Sequence, residues 1–235
     1  MLVNGYFKRT KSPLNSAIYV LPLFIIYELG ILFLSSDDLP TVRNSVDVLI
    51  RNILAKLGMA GIYGIGIILI ISLVAVFILN RKKSGKLSLR STHFLFMLFE
   101  SLLWAVVLHI FLLQSQLFLL NESNRQLVQQ IILAVGSGLF EEFLFRVLLI
   151  GIIVVFLNLF FKDKYWYKMT FAVFIAAAVF AYFHFIGEFA DEISMIPFMI
   201  RFLAGIYLGY IYAIRGFGIV AYTHSFYNLI IIVQQ

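Results

Sequence analysis

The chain has 235 residues, 62% of them hydrophobic and only 13% charged, with a mean hydropathy of +0.99. A soluble domain is nearer half apolar and a quarter charged, so water is excluded as the solvent for most of this surface and the bilayer takes its place. The net charge of +6 does not point to nucleic acid, because the basic residues collect in short stretches between apolar runs, and the lack of cysteine removes disulfides, cysteine nucleophiles and thiolate metal sites.

In chain order, seven apolar segments are candidates to span, at roughly 17–35, 61–80, 93–120, 126–161, 169–187, 195–214 and 216–234, since a span needs about 20 residues. The third and fourth are longer than needed, so they tilt, break or extend past the hydrocarbon. Gly136-Ser137-Gly138 is a place for a break or a close helix contact. The expected fold is all-α: a polytopic membrane bundle of about seven helices, six to eight, forming one domain over residues 1–235.

Two stretches need separate treatment. Lys8, Arg9 and Lys11 give the first span a basic start, but Pro22 and Glu28 lie within it and no small-x-small cleavage site follows, so it reads as a retained helix rather than a signal peptide. In 45–58, Val46, Leu49, Ile50, Ile53, Leu54 and Leu57 recur at helical spacing, with Asp47, Arg51, Asn52 and Lys56 elsewhere. That pattern predicts an interfacial amphipathic helix lying on the membrane.

The basic residues set the orientation. Lys8, Arg9, Lys11, Arg81, Lys82, Lys83, Lys86, Arg90, Lys162, Lys164, Lys168 and Arg215 fall on one side, against Arg43, Arg51, Lys56 and Arg125 on the other. The bias places the N-terminus in the cytoplasm.

The fourth segment holds SGLFEEFLFRVLLI, Ser137 to Ile150. Two carboxylates and an arginine lie where a span should be apolar, and each such charge costs about 2.5–3.5 kcal/mol on insertion scales. Glu142 and Arg146 are four apart, so they share a face and can pair, while Glu141 points about 100° away. Of the four histidines, His93 reads as interfacial and His109 as a packing residue. His184 and His224 stand in other late spans, with Asn228 four residues after His224. Three helices thus bring Glu141/Glu142, His184 and His224/Asn228 to apolar surroundings.

That set suits water activation. A carboxylate in a low-dielectric pocket is a usable general base near neutral pH, Arg146 keeps Glu142 ionised, the histidines can hold the water or donate to an oxyanion, and an asparagine amide is a neutral oxyanion donor. Other protease chemistries fit less well. There is no His-Glu-x-x-His, and His184 and Glu188 lack the second histidine. Gly136-Ser137-Gly138 lacks the Gly-x-Ser-Gly spacing of rhomboid-type proteases, and no Gly-x-Gly-Asp of aspartyl intramembrane proteases occurs. Glu141, His184 and His224 also fit a two-histidine, one-carboxylate zinc site, which the residues alone leave open. A proton-coupled transporter, with Glu28 and Glu100 in the relay, is a third reading, though no repeated halves are visible.

The motifs Glu141-Glu142-Phe143-Leu144-Phe145-Arg146, Phe180-Ala181-Tyr182-Phe183-His184 and His224-Ser225-Phe226-Tyr227-Asn228 occur in an order that resembles the CAAX protease and bacteriocin-processing (Abi) family. The resemblance covers about residues 126–234. It implies an intramembrane endopeptidase in which Glu141 activates water, His184 positions it, His224 and Asn228 form the oxyanion hole, and Glu142 and Arg146 support the site; no cofactor is expected, and a zinc-dependent version of the protease stays open. It further implies a membrane-anchored protein or peptide as substrate, the lipid bilayer as surroundings and, for a short chain of bacterial type, the inner membrane. The family also holds proteins linked to bacteriocin immunity, so a non-catalytic interaction protein of the same fold is the alternative.

Overall fold

The structure, a computed structural model, describes residues 2–33, 45–56, 91–116, 127–162, 164–186 and 190–234. Among the described residues every regular element is helical: α1 (Leu2–Thr10), α2 (Pro13–Leu32), α3 (Ser45–Lys56), α4 (Ser91–Gln116), α5 (Leu127–Phe160), α6 (Tyr165–Phe183), α7 (Met195–Arg215) and α8 (Phe217–Val233). α2, α4, α5, α6 and α7 are long and apolar enough to cross a membrane, and α8 is a shorter apolar helix. The protein is an all-α, polytopic integral membrane bundle. The segment 61–80, the basic stretch 81–90, Arg43, Arg125 and Glu188 lie outside the described residues.

α8 is the centre. It packs against α2, α4, α5 and α7, and every residue from Gly218 to Ser225 is buried. Enclosure by these neighbours keeps its polar residues Thr223, His224 and Ser225 away from lipid. Around it, α4 and α5 turn Phe96, Leu103, Ile110 and Leu159 outward, as expected where hydrocarbon is the solvent.

Local sequence sets the helix ends. Ser12 caps α2 by accepting from the Asn15 N–H at 3.2 Å, and Pro13 follows at the first helical position, where its missing N–H costs nothing. α7 stops at Gly216, whose φ of 84° is open to glycine and costly for other residues. The Gly216 N–H returns to the Tyr212 carbonyl at 2.8 Å, and Lys11 Nζ donates to the Ala213 carbonyl at 2.6 Å, satisfying groups a helix end leaves orphaned. Burial, aided by the Arg215 charge, pushes the Lys11 ammonium below the ordinary lysine range.

Arg215 itself corrects the charge reading. It is buried, not a loop cation: Nε pairs with Glu100 Oε1, and Nη2 donates to Glu100 Oε2 at 2.7 Å and to Thr10 Oγ1 at 2.9 Å. Tyr6 donates to the same Glu100 oxygen at 2.7 Å. The cluster clamps α1 and α4 to the α7–α8 joint.

α3 also differs in aspect from the expectation of a helix resting polar side to water. Val46 and Asp47 are buried, while Val48, Leu49 and Ile53 are exposed. Tyr27 donates to Asp47 Oδ2 at 2.9 Å, Arg51 Nε to Asp47 Oδ1 at 2.7 Å, and Arg51 Nη2 to Glu28 Oε1 at 2.9 Å. Asp47 and Arg51 of α3 are thus docked on α2 while Val48, Leu49 and Ile53 face outward, and its other neighbour is the turn Ser137–Glu141 of α5.

α6 and α7 form the tightest pair. A Cβ at Gly205 would lie 3.0 Å from Ala177, and one at Gly209 2.7 Å from Val173 Cγ1. Small residues one turn apart let the backbones approach, a common device in membrane helices, and this fixes the end of α6, where His184 stands, against α7.

Candidate active site

α5 changes its backbone where the carboxylates begin. Ser137–Glu141 and Phe143–Ile150 run in the wider π-helical pattern, in which bonds span five residues and which is rare outside functional sites. The expected break at Gly136-Ser137-Gly138 is therefore a change of pitch within one continuous helix. The expected close contact is present as well: Gly136 packs on the Tyr27 ring, and a Cβ at Gly138 would lie 2.6 Å from the Ala221 carbonyl oxygen and would overlap the Ser225 hydroxyl. Gly138 thereby lets α5 touch α8 one residue from His224.

Glu142 is fully buried and joins two helices. Its Oε1 accepts from His224 Nδ1 at 2.8 Å, and its Oε2 faces Arg146 Nε at 3.1 Å. A carboxylate can only accept, so Nδ1 of His224 carries the hydrogen and Nε2 is left for other work. Arg146, also fully buried, lays its guanidinium over the Phe180 ring, 4.6 Å from the centroid, a cation–π contact that ties α5 to α6. Buried ion pairs are poor sources of stability because desolvation offsets attraction, so this one is better understood as fixing geometry.

Glu141 lies in the same turn and is nine-tenths buried. Its charge and that of Glu142 both act on Arg146. At the C-terminal end of α6, His184 has Glu141, Arg201 and His224 as electrostatic neighbours. His184 Nδ1 contacts the Phe180 carbonyl at 2.9 Å. A carbonyl only accepts, so this nitrogen is the donor and Nε2 is left as an acceptor. Asn228 follows His224 by one turn and is half-buried; among the described residues it makes no hydrogen bond to the others.

The structure therefore brings Glu142, Arg146 and His224 into direct contact, sets Glu141 and His184 beside them, and leaves Asn228 at the margin. Sequence reading gave Phe180 no role, although it heads the second motif. Its ring lies 5.0 Å from that of His184, 6.2 Å from that of His224 and 5.3 Å from that of Phe145. Its spacing of four from His184 was the available signal.

Residues 123–230, which contain all six of these polar side chains, match the family model described as type II CAAX prenyl endopeptidase Rce1-like. Neither a curated protein nor a solved structure matches the chain. Through this segment the chain is similar to the CAAX protease family.

Proposed function

We propose that the protein is an intramembrane endopeptidase that cleaves a membrane-anchored or lipid-embedded protein, with Glu141 as the base that activates water. The observation that carries this reading is the brace in which Glu142 holds both Arg146 and His224, with Glu141 and His184 beside it. The brace joins α5 to α8 and the Arg146–Phe180 contact joins α5 to α6, so three helices are held around Glu141 and His184.

Glu141 takes one proton from water, while His184 Nε2 accepts a hydrogen bond from the O–H that remains and orients the attack. The hydroxyl adds to the scissile carbonyl, and the oxyanion is held by the Asn228 amide and by His224. Donation from His224 Nε2 requires the imidazolium form, for which Glu142 is the counter-ion. Collapse of the tetrahedral species breaks the C–N bond, and the proton on Glu141 passes to the leaving amine. Arg146 stays paired with Glu142 throughout.

Nδ1 of His184 faces a carbonyl and Nδ1 of His224 a carboxylate, which leaves both Nε2 atoms for a water or for a metal alike, so metal removal is what separates Glu141 from a zinc-bound water. Glu28 and Glu100, which a proton relay would need, are each paired with an arginine, Arg51 and Arg215. The working site is a bacterial inner membrane with the N-terminus in the cytoplasm.

The reading is tested with purified protein and a membrane-anchored peptide. Glu141→Gln should lose cleavage by about 100- to 10,000-fold, the range of general-base catalysis. Cleavage at the wild-type rate by that variant would contradict it.

A further inference from the structure

Arg201 is a second cation at the site, and the mechanism above does not use it. It stands in the second turn of the membrane-spanning α7, where a charge without a purpose is costly. Its Nη2 pairs with Asp191, and its guanidinium lies 5.5 Å from the Phe185 ring centroid. The Asp191 N–H in turn donates to the His184 carbonyl at 3.1 Å. Arg201 is therefore held beside the residue immediately after the catalytic histidine, and its charge reaches His184 itself. The close packing of Gly205 on Ala177 fixes this turn of α7 against α6.

The guanidinium is not used up. Arginine offers five donors, and Arg201 Nη1 is buried with no hydrogen-bond acceptor among the described residues. Asp191 is half exposed, and exposed partners hold a guanidinium weakly. A buried donor left without an acceptor is costly, and a planar guanidinium edge is matched by a carboxylate, which it binds with two parallel bonds. A peptide lying across Glu141 and His184 supplies that group in one of two ways, as its own C-terminus or as an Asp or Glu side chain.

We infer that Arg201 is a substrate-binding residue that takes a carboxylate of the peptide, so that the enzyme selects chains carrying a carboxylate close to the scissile bond on the His184 side. This inference rests on the endopeptidase reading and is tested apart from it by measuring binding as well as cleavage.

Three peptides share one apolar anchor. The first ends in a free carboxylate, the second in an amide, and the third in an amide with a glutamate side chain near the end. Affinity is measured on Glu141→Gln protein in phospholipid-free detergent, and cleavage on the wild type. The free acid should bind about 10- to 100-fold more tightly than the amide, the range for a hydrogen bond to a charged group, and the preference should appear in KM. It should collapse towards unity when Arg201→Gln is added and persist in part with Arg201→Lys. If the glutamate peptide binds as the free acid does, the site takes any carboxylate; if it binds as the plain amide does, the site takes the C-terminus. Equal binding of all three peptides by Arg201-containing protein overturns the inference, as does a loss in both Arg201 variants that leaves the preference intact. Arg201-dependent binding of the acid with no cleavage by the wild type would support the carboxylate site and sink the endopeptidase reading.

Discussion

Glu142 and His224, 82 positions apart, share a hydrogen bond of 2.8 Å at the centre of the bundle. The same carboxylate neutralises Arg146, so one side chain holds both the imidazole and the guanidinium. Removing it strands a fully buried cation. Glu142→Gln should destabilise the protein by about 3–5 kcal/mol, as breaking one partner of a buried pair does, and should abolish cleavage. Glu142→Gln with Arg146→Met should recover stability in thermal unfolding but not activity. A double variant as unstable as the single one would show that the brace is not an ion pair of this kind.

Phe180 connects Arg146, His184 and His224 through its ring. Phe180→Leu keeps most of the apolar volume and loses the aromatic face, worth about 0.5–2 kcal/mol against a cation. Activity should fall by roughly the corresponding factor, with the backbone bond from His184 retained. Unchanged turnover would deny the ring a part in placing Arg146.

Gly138 and Gly151 stand on the same helix and should respond in opposite ways. A Cβ at Gly138 meets the Ala221 carbonyl and Ser225, whereas one at Gly151 meets nothing within 4 Å. Gly138→Ala should cost about 1–3 kcal/mol, as overpacking does, and should reduce activity by moving α5 off α8. Gly151→Ala should be neutral or stabilising by up to about 1 kcal/mol, since alanine is the better helix former. Melting temperatures of the two purified variants decide this, and equal values would contradict the close contact.

Glu100 and Arg215 clamp α1 and α4 to the α7–α8 joint. Glu100→Gln leaves a buried arginine short of its counter-ion and should destabilise by about 3–5 kcal/mol, with α1 the first element to become accessible. Limited proteolysis reads this directly. Cleavage first within α8, rather than at α1, would place the weak point elsewhere.

The sequence made the helices and the intramembrane polar residues legible, because uniform apolar runs and rare intramembrane charges are strong signals. It was weaker on direction. α8 has apolar residues all round it, so its pattern could not report that Gly218 to Ser225 are enclosed by protein. Arg215 sits at the end of an apolar run, where position alone reads as a loop cation, and its partner Glu100 is 115 residues away. In α3 the spacing of Val46, Ile50 and Ile53 marked a helix, but Asp47 and Arg51 turn towards Tyr27 and Glu28 rather than water. The π turns were hidden as well, because over so short a stretch a wider pitch leaves no trace in the residue pattern.

The most direct test of the account combines base removal with metal removal in one cleavage assay. Wild type and Glu141→Gln are purified, each is incubated with and without a strong chelator, and a membrane-anchored peptide is added. Water activation by Glu141 gives full wild-type cleavage in chelator and none from Glu141→Gln under either condition. Wild-type cleavage that chelator abolishes and zinc restores, or cleavage that survives Glu141→Gln, would contradict it.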